Sequence, residues 1–241
     1  MTILVLGATG ATGRLLVQYL LERSKHVRII VRSKEALPKD LLAHDNLSVT
    51  EASLLDLSDA AITEQVTGCD AIVSCLGHNM TFKGMFLPPR RLVTDATRRL
   101  CEAAAAVKPA TPIRFVLMNT SGNSNRDLDE PLSSAQKIVL ALIRTLVPPH
   151  ADNEAAADYL RTEIGQQDAA IEWTAVRPDG LIDAPEATPF EVHPSPIRSA
   201  IFDAGQTSRM NVASFMGDLV IEDDIWAQWK GQMPVIYNVE D

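Results

Sequence analysis

The sequence predicts an α/β fold, a doubly wound and mostly parallel sheet with a small C-terminal lobe. Short apolar runs alternate with stretches of helical periodicity, which is the pattern of βαβ units around a parallel sheet. Most of these runs are apolar throughout, as expected for strands that are buried on both faces. A length of 241 residues suits one domain of this kind. We therefore expect a single domain over 1–241, with 179–211 as the lobe.

The elements follow from this alternation in chain order. Strands are predicted at 3–6, 27–31, 47–50, 71–75, 115–118, 172–176 and 235–237. Helices are predicted at 11–23, 58–66, 90–106, 134–146, 153–165 and 212–220, with Asp152 as the cap of the fifth. Residues 121–152 and 179–206 break the rhythm, and both would emerge at carboxyl ends of strands. Because doubly wound sheets bind ligands at that edge, we place both stretches on the substrate side.

The composition argues against several classes of function. A net charge of −9 disfavours binding to a phosphate backbone, so no nucleic-acid partner is expected. Three cysteines without Cys-x-x-Cys spacing indicate reduced thiols rather than a disulfide framework or a zinc site. The chain starts without a basic leader, and the apolar run 138–147 is about half of the ~20 residues that span a bilayer. We expect a cytoplasmic monomer or homodimer with no membrane partner.

The stretch GATGATG at 7–13 joins the first strand to the first helix. Gly7 would permit a tight turn, Gly10 would let a pyrophosphate approach the backbone, and Gly13 would let the helix pack on its strand. A plain turn with incidental glycines is the alternative, because glycine turns are common. The loop residues expected to contact a dinucleotide are Gly7, Thr9, Gly10, Ala11, Thr12 and Gly13.

The G-x-x-G-x-x-G spacing resembles the short-chain dehydrogenase/reductase superfamily, particularly its extended and atypical branches. The segments VRIIVRSKEAL, LLDLSD, AIVSCLG, WTAVRPDGL and SRMNVASFM are ordered as in NmrA-like proteins and in flavin or biliverdin-B reductases. The resemblance covers nearly the whole chain and implies a Rossmann fold that binds a nicotinamide dinucleotide. It is much less specific for a reaction.

The end of the second strand is basic and indicates the form of the cofactor. Arg32 lies nineteen residues beyond Gly13 and is followed by Ser33 and Lys34. NAD-specific sites usually place Asp or Glu here for the ribose hydroxyls, whereas a 2′-phosphate needs cations and hydroxyl donors. A solvated arginine beside a surface turn is the alternative. Together with the glycine motif, Arg32 and Ser33 favour NADP(H).

The ends of the third and fourth strands are expected on the adenine side. Resemblance to the family places Asp56 and the backbone of Leu57 near the adenine amine, although Asp56 could equally cap the helix that begins near Ser58. Cys75, Leu76 and Gly77 would line the adenine-ribose side, with Gly77 allowing the backbone to pass close to the ligand.

The acid–base pair of the orthodox short-chain dehydrogenases, Tyr-x-x-x-Lys, is absent from this sequence. Counting back from EWTAVRP places His150 and Glu154 at the corresponding positions. His150 is a candidate proton donor, but the PPH stretch also resembles a surface turn.

Thr120 and Ser121 follow the fifth strand, where the family positions a hydroxyl beside the nicotinamide. Thr-Ser-Gly is also ordinary loop chemistry, so both interpretations of Ser121 remain open. The family resemblance places Arg177 and Pro178 under the nicotinamide, although RPDG is also typical of a type I turn. No two histidines have ligand spacing on a predicted element, so no metal is expected.

These residues predict an NADPH-dependent reductase of a small flavin, quinone or carbonyl acceptor, with Ser121 and His150 as the catalytic candidates. Hydride transfer to a flavin or quinone needs little from a protein beyond stacking the acceptor and excluding water. The main alternative is a non-catalytic NADP(H)-responsive regulatory protein of the NmrA-like type. A further alternative is an epimerase or dehydratase with tightly bound NAD, which Arg32 disfavours.

Overall fold

The computed structural model describes residues 1–78, 87–130 and 133–239. Eight strands form one sheet in the order β3-β2-β1-β4-β5-β6-β10-β8, and β7 and β9 form a small parallel pair. All neighbours in the large sheet are parallel except β8, which runs antiparallel to β10. The strands are β1 Thr2–Leu6, β2 His26–Val31, β3 Leu47–Glu51, β4 Ala71–Ser74, β5 Ile113–Met118, β6 Ile171–Pro178, β7 Gly180–Ile182, β8 Phe190–His193, β9 Gln206–Ser208 and β10 Val235–Asn238.

Helices cover both faces of the sheet and create two apolar cores. Helices α1, α7 and α8 pack on one face, and α3, α4 and α6 pack on the other. Within the described ranges the helices are α1 Ala11–Glu22, α2 Lys39–Leu42, α3 Asp59–Val66, α4 Leu92–Val107, α5 Ser134–Leu146, α6 Pro148–Tyr159, α7 Arg209–Ile221 and α8 Asp223–Trp229. No helix in this part of the chain is both long and apolar enough to cross a bilayer.

The fold class predicted from the sequence is confirmed, and the topology fixes where a ligand binds. Strand β1 lies between β2 and β4, so the chain winds outward in both directions from the β1–β4 pair. Leu6 and Ser74 are register partners at the carboxyl ends of those two strands. In such sheets the crevice outside this point is the ligand site.

All seven predicted strands are present, and their ends differ from the predicted ones by at most two residues. The predicted helix 153–165 is wrong at its start: α6 begins at Pro148 and is continued by a π-helical turn, Leu160–Ile164. Proline fits the first helical position because its missing N–H has no partner there anyway, so the two prolines open a helix instead of forming a surface turn. The sequence pattern predicts none of the elements α2, α8, β7, β8 and β9.

The segment 179–211 is tied to the large sheet rather than set apart from it. It supplies β8, whose residues pair with β10 from Phe190 opposite Asn238 to His193 opposite Val235. It also supplies β7, β9 and the start of α7. The segment therefore completes one edge of the sheet and covers the carboxyl ends of β6 and β10.

Candidate functional site

The loop between β1 and α1 is shaped by glycines at places where a side chain would collide with backbone. Gly7 has a φ of +76°, and a β-carbon there would lie 2.4 Å from the carbonyl oxygen of Cys75. A β-carbon on Gly13 would lie 2.2 Å from the carbonyl oxygen of Gly7. The turn is closed by the Gly10 N–H, which donates to the Gly7 oxygen over 2.9 Å. The loop is thus held against the end of β4.

The amino terminus of α1 is left open to solvent. Gly10 caps the helix without any side-chain hydrogen bond, and Thr9, Gly10 and Ala11 are exposed, whereas Thr12 is buried. The first N–H groups of a helix have no partner within it, and together with the helix dipole they attract an anion. The geometry therefore forms an anion cradle at the switch point of the sheet.

The carboxyl end of β2 offers a cation beside this cradle. Arg32 is exposed and has no hydrogen bond or ion pair within residues 1–78, 87–130 and 133–239. The Ser33 oxygen accepts from the Glu35 N–H at 3.2 Å, which leaves the hydroxyl proton of Ser33 available as a donor. A guanidinium and a hydroxyl at this position can together bind a phosphate.

At the ends of β3 and β4 the structure decides between two roles for Asp56. Ser58 caps α3, with its hydroxyl oxygen accepting from the Ala61 N–H at 3.2 Å, so the capping alternative for Asp56 is wrong. Asp56 is exposed, and the Leu57 carbonyl oxygen accepts a hydrogen bond from Arg99 at 2.5 Å. The Asp56 carboxylate is therefore free to face a ligand.

The segment after β4 has two partly buried positions, Cys75 and Leu76, followed by the exposed Gly77. Burial raises the pKa of the Cys75 thiol to about 12, so this thiol is a packing group and not a nucleophile. Leu76 is partly buried, and Gly77 is exposed with no atom within 4 Å of the place where a β-carbon would stand. Among the residues that the structure describes, none fills the space beside Gly77.

At the carboxyl end of β5, the two hydroxyl groups have different roles. The Thr120 hydroxyl oxygen accepts from the Gly122 N–H at 3.3 Å and so stabilises the turn. The Ser121 hydroxyl donates to the Asp179 carboxylate at 2.9 Å, and both side chains are buried. The other Asp179 oxygen accepts from the Gly205 N–H, also at 2.9 Å. Because a serine has one proton, Ser121 faces the site as an acceptor while this bond is intact.

His150 and Glu154 lie one turn apart on α6, close to the turn after β5. The His150 ring packs on Gly122, where a β-carbon would be 3.4 Å from Cε1. Its Nε2 is 3.4 Å from Glu154 Oε1, but the contact is not aligned as a hydrogen bond, and Nε2 is buried without a partner in the described chain. The Nε2 atom of His150 therefore lies against the Glu154 carboxylate without an aligned hydrogen bond.

Glu154 is held ionised by its neighbours. Arg144 donates two hydrogen bonds to its carboxylate, over 2.5 and 2.9 Å. Burial alone would raise the pKa of Glu154, but the contacts and charges of His150 and Arg144 outweigh burial and lower that pKa to about 2. The carboxylate thus anchors the start of α6 and faces the His150 ring.

Arg177 does not present its side chain to a cofactor, which corrects the expectation from the sequence. The guanidinium is fully buried and all five of its N–H donors are used. They bind the carboxylate of Glu130 and the carbonyl oxygens of Met233, Asn123 and Pro194. Arg177 therefore joins four chain segments at the end of β6.

Pro178 ends β6 and directly follows Arg177. Its carbonyl oxygen accepts from the Ser121 N–H at 3.0 Å, so the ends of β5 and β6 are joined directly. Thr120, Ser121 and Pro178 are thus neighbours at the carboxyl edge.

The stretch of sequence that contains the glycine loop and the ends of β5 and β6 matches a known protein family. A family model described as NAD(P)H-binding matches residues 7–223. The chain belongs to this NAD(P)H-binding family. This match confirms the nicotinamide-dinucleotide-binding family expected from the sequence.

Comparisons with individual proteins support the same assignment. The NAD(P)H-binding chain is 30% identical over 189 residues to the oxidoreductase stcQ of Emericella nidulans, a match that covers 74% of this chain and 64% of that protein. It thus spans less than two thirds of that relative's length.

Solved structures share the fold at low identity. The oxidoreductase ylbE from Lactococcus lactis has a TM-score of 0.71 at 17% identity, covering 100% of this chain and 92% of that one. A wide-type short-chain dehydrogenase/reductase from Veillonella parvula, in complex with NADP, has a TM-score of 0.71 at 18% identity, covering 98% and 94%. The anaerobillin reductase ChuY from Escherichia coli O157:H7 has a TM-score of 0.70 at 16% identity, covering 100% and 98%.

The sequence interpretation missed a buried polar cluster at the start of this NAD(P)H-binding protein's α4. Asp152 lies inside α6 and does not cap it, which corrects that expectation. Its carboxylate accepts from the N–H groups of Val93 at 2.8 Å and Thr94 at 3.0 Å, and so caps α4. His78 Nε2 is 2.7 Å from the same carboxylate. His78, Val93 and Thr94 are distant from Asp152 in the chain. The only signal for the cluster in the sequence was therefore the presence of polar residues in a segment predicted to be buried.

Two further carboxylates at the substrate edge were also missed. Glu130 and Asp179 lie in the stretches 121–152 and 179–206, which lack periodicity, so no repeating pattern singles them out. In the part of the chain that the structure describes, no group of three or more His, Cys, Asp or Glu side chains could hold a metal ion.

Proposed function

We propose that this protein is an NADPH-dependent reductase that transfers hydride to a small flavin, quinone or carbonyl acceptor. The observation that carries the proposal is the uncapped start of α1, pressed against the end of β4 and accompanied by Arg32, a cation without a protein partner in the described chain. The N–H groups would hold the pyrophosphate, and Arg32 with Ser33 would hold the 2′-phosphate.

The preference for NADP(H) over NAD(H) rests on that cation. A hydrogen bond to a charged group contributes about 1.5 to 3 kcal/mol, which corresponds to roughly ten- to a hundredfold in affinity. Asp56, exposed at the end of the short 3₁₀ turn Leu54–Asp56, would face the adenine amine. Asp56 follows β3 and Arg32 follows β2, and these two strands are neighbours in the sheet.

The catalytic side lies at the ends of β5 and β6. The bound cofactor would supply the hydride, while Thr120 and Pro178 would line the nicotinamide side. Ser121, whose proton is donated to Asp179, would accept a hydrogen bond from the hydroxyl group of the reduced product. His150, whose buried Nε2 faces Glu154 at 3.4 Å without an aligned hydrogen bond, would carry the proton that completes the reduction.

Stopped-flow mixing of the NADPH complex with flavin, quinone and carbonyl acceptors tests the reaction directly. We expect loss of NADPH absorbance with at least one class, and a His150→Gln variant that binds NADPH normally but turns over more slowly. Glu163→Gln, a carboxylate change on the far end of the same crossover, is the matched control. If bound NADPH is stable toward every acceptor, the protein is not a reductase.

A regulatory role is the second candidate, and one observation favours it. The Tyr-x-x-x-Lys pair is absent, and the only proton of Ser121 is donated to Asp179. Such a protein would bind NADP(H) without turnover and present a different surface in the two redox states. Stable NADPH in the stopped-flow experiment, together with a partner that binds only one redox form, would favour this function over reduction.

A further inference from the structure

Exposed apolar side chains are concentrated at the edge of the sheet that carries the candidate site. Nine large apolar residues are exposed in the described ranges, and only Met1 lies at the opposite, amino-terminal edge. The other eight lie on segments that leave the carboxyl ends of β4, β5, β6 and β10. Single exposed apolar residues are normal, but a set gathered at one edge marks a binding surface.

Helix α5 contributes the most exposed members of this set. Ile138, Leu142 and Leu146 are 63%, 54% and 66% exposed and follow each other at intervals of four, so they form one stripe along the helix. Helix α5 lies outside the carboxyl edge, because it leads directly into α6, and α6 begins with His150 packed on Gly122. The stripe is therefore on the substrate side of the fold.

The segment between β8 and β9 adds two more apolar side chains. Ile197 is 58% exposed and Phe202 is 61% exposed. This segment is joined to α5 by a hydrogen bond of 3.1 Å from the Ser199 hydroxyl to the Gln136 side-chain oxygen. We call the exposed residues Ile138, Leu142, Leu146, Ile197 and Phe202 the apolar collar.

The apolar collar is connected to the carboxyl ends of β5 and β6 through hydrogen bonds of Arg177 and Asp179. Arg177 donates to Glu130, at the end of the loop that follows β5, and to the carbonyl oxygen of Pro194, three residues before Ile197. Asp179 binds both Ser121 and the Gly205 N–H, three residues after Phe202. Both ends of the segment that carries Ile197 and Phe202 are thus held to the residues that follow β5 and β6.

The arginines around the collar are paired with carboxylates of the protein. Arg144 binds Glu154, and Arg198 binds Asp203 at 2.9 Å. Arg209 binds Asp183, also at 2.9 Å, on the same side of the fold. Lys137 lies on α5 about 140° around the helix from Leu142, away from the stripe. None of these three arginines offers an unpaired charge to an acceptor with phosphate or carboxylate groups, so the collar itself favours an uncharged acceptor.

We propose that the acceptor is an uncharged, apolar quinone that lies against the apolar collar; this rests on the function proposed above. In the reaction the quinone accepts a hydride from NADPH and a proton from His150 or water, which gives the hydroquinone and NADP⁺. A quinone fits this edge better than a simple carbonyl does. Hydride transfer to a quinone requires little acid catalysis from the protein, and Ser121 already donates its proton to Asp179.

Steady-state kinetics with two quinones of opposite character test the proposal. A neutral alkyl naphthoquinone and anthraquinone disulfonate would be compared as acceptors for NADPH oxidation. We expect kcat/KM to be at least about tenfold higher for the neutral quinone. In the double variant Ile197→Ser/Phe202→Ser we expect KM for the neutral quinone to rise about tenfold, with kcat and the Kd for NADPH unchanged. Both positions are exposed, so the variant should fold normally.

The control is Ile221→Ser, a partly buried apolar residue in the cleft at the amino-terminal edge, which should leave every constant unchanged. Equal or better reduction of the disulfonate overturns the inference and leaves the reductase function intact. If neither quinone nor any other acceptor oxidises bound NADPH, both proposals fail together. If the double variant instead changes the mass of the particle in solution and leaves KM unchanged, the collar is an interface between copies, and the inference is wrong.

Discussion

A β-carbon on Gly7 would lie 2.4 Å from the carbonyl oxygen of Cys75, so the glycine loop and the end of β4 are in direct backbone contact. Gly7 also has a φ of +76°, a backbone conformation that residues other than glycine rarely adopt. These two constraints act together at one residue, and they can be separated by experiment because Gly68 has only the second.

We expect Gly7→Ala to destabilise the fold by about 1 to 3 kcal/mol more than Gly68→Ala does. Gly68 has a φ of +72° but no atom within 4 Å of the position of a β-carbon, so it experiences backbone strain without collision. Urea unfolding of both variants measures the difference. Equal free energies of unfolding would show that the loop does not press on β4.

We expect Arg32→Ala to weaken NADPH binding by roughly ten- to a hundredfold and to change NADH binding by less than about twofold, because only NADPH carries the 2′-phosphate. Calorimetric titration with both nucleotides measures the two constants. Arg98→Ala, which removes an exposed arginine from α4, controls for the change in net charge. Parallel losses for both nucleotides would assign Arg32 a structural role.

Glu154 predicts a specific dependence of stability on pH. Its pKa is lowered to about 2 in the fold from an ordinary value of 4.5. A lowered carboxyl pKa gives stability that is present above the unfolded pKa and is lost as pH falls through the folded one. The stabilisation should therefore be complete above pH 4.5 and decline between pH 4.5 and about 2.

Urea unfolding of the protein and of Glu154→Gln across that range measures this effect. The difference in the free energy of unfolding between them should shrink as the pH falls. Glu64→Gln, at an exposed position on α3, is the control and should show no such trend. A difference that stays constant down to pH 2 would mean that Arg144 and His150 do not hold the carboxylate ionised.

The buried pair of Arg177 and Glu130 predicts strong coupling between two distant positions. Their side chains are 0% and 2% exposed and 2.7 Å apart. Arg177→Met leaves Glu130 buried without its partner and should cost about 3 to 5 kcal/mol. The double variant Arg177→Met/Glu130→Gln should be less destabilised than the sum of the two single variants. Urea unfolding of the four proteins gives the coupling energy, and additive costs would contradict the pairing.

Local patterns in the sequence were sufficient for much of the fold. Continuous apolar runs predicted β1, β4 and β5, because strands buried on both faces need apolar residues on both. The spacing of Gly7, Gly10 and Gly13 predicted the loop, because each glycine is required by the local backbone conformation or by a close backbone contact. The prediction failed where local preference was ambiguous, as at Pro148, which begins a helix in the structure.

The candidate site was predictable only in part, for a physical reason. The positions of Ser121 and His150 near the carboxyl edge of the sheet follow from the order of strands and helices. The hydrogen-bonding state of Ser121 depends on Asp179, 58 residues away along the chain. Likewise, the sequence suggests Arg177 as a ligand of the cofactor, but in the structure Arg177 binds Glu130, 47 residues away along the chain.

The sequence by itself determined the α/β class, the glycine turn and the basic end of β2, since these depend on residues that are neighbours in the chain. The tertiary structure alone decided which polar groups remain available: Arg32 has no partner in the described residues, while Arg177, Ser121 and Asp152 are bound within the protein and His150 faces Glu154. A polar side chain has few hydrogen-bonding positions, and its partners are brought to it by packing rather than by sequence order.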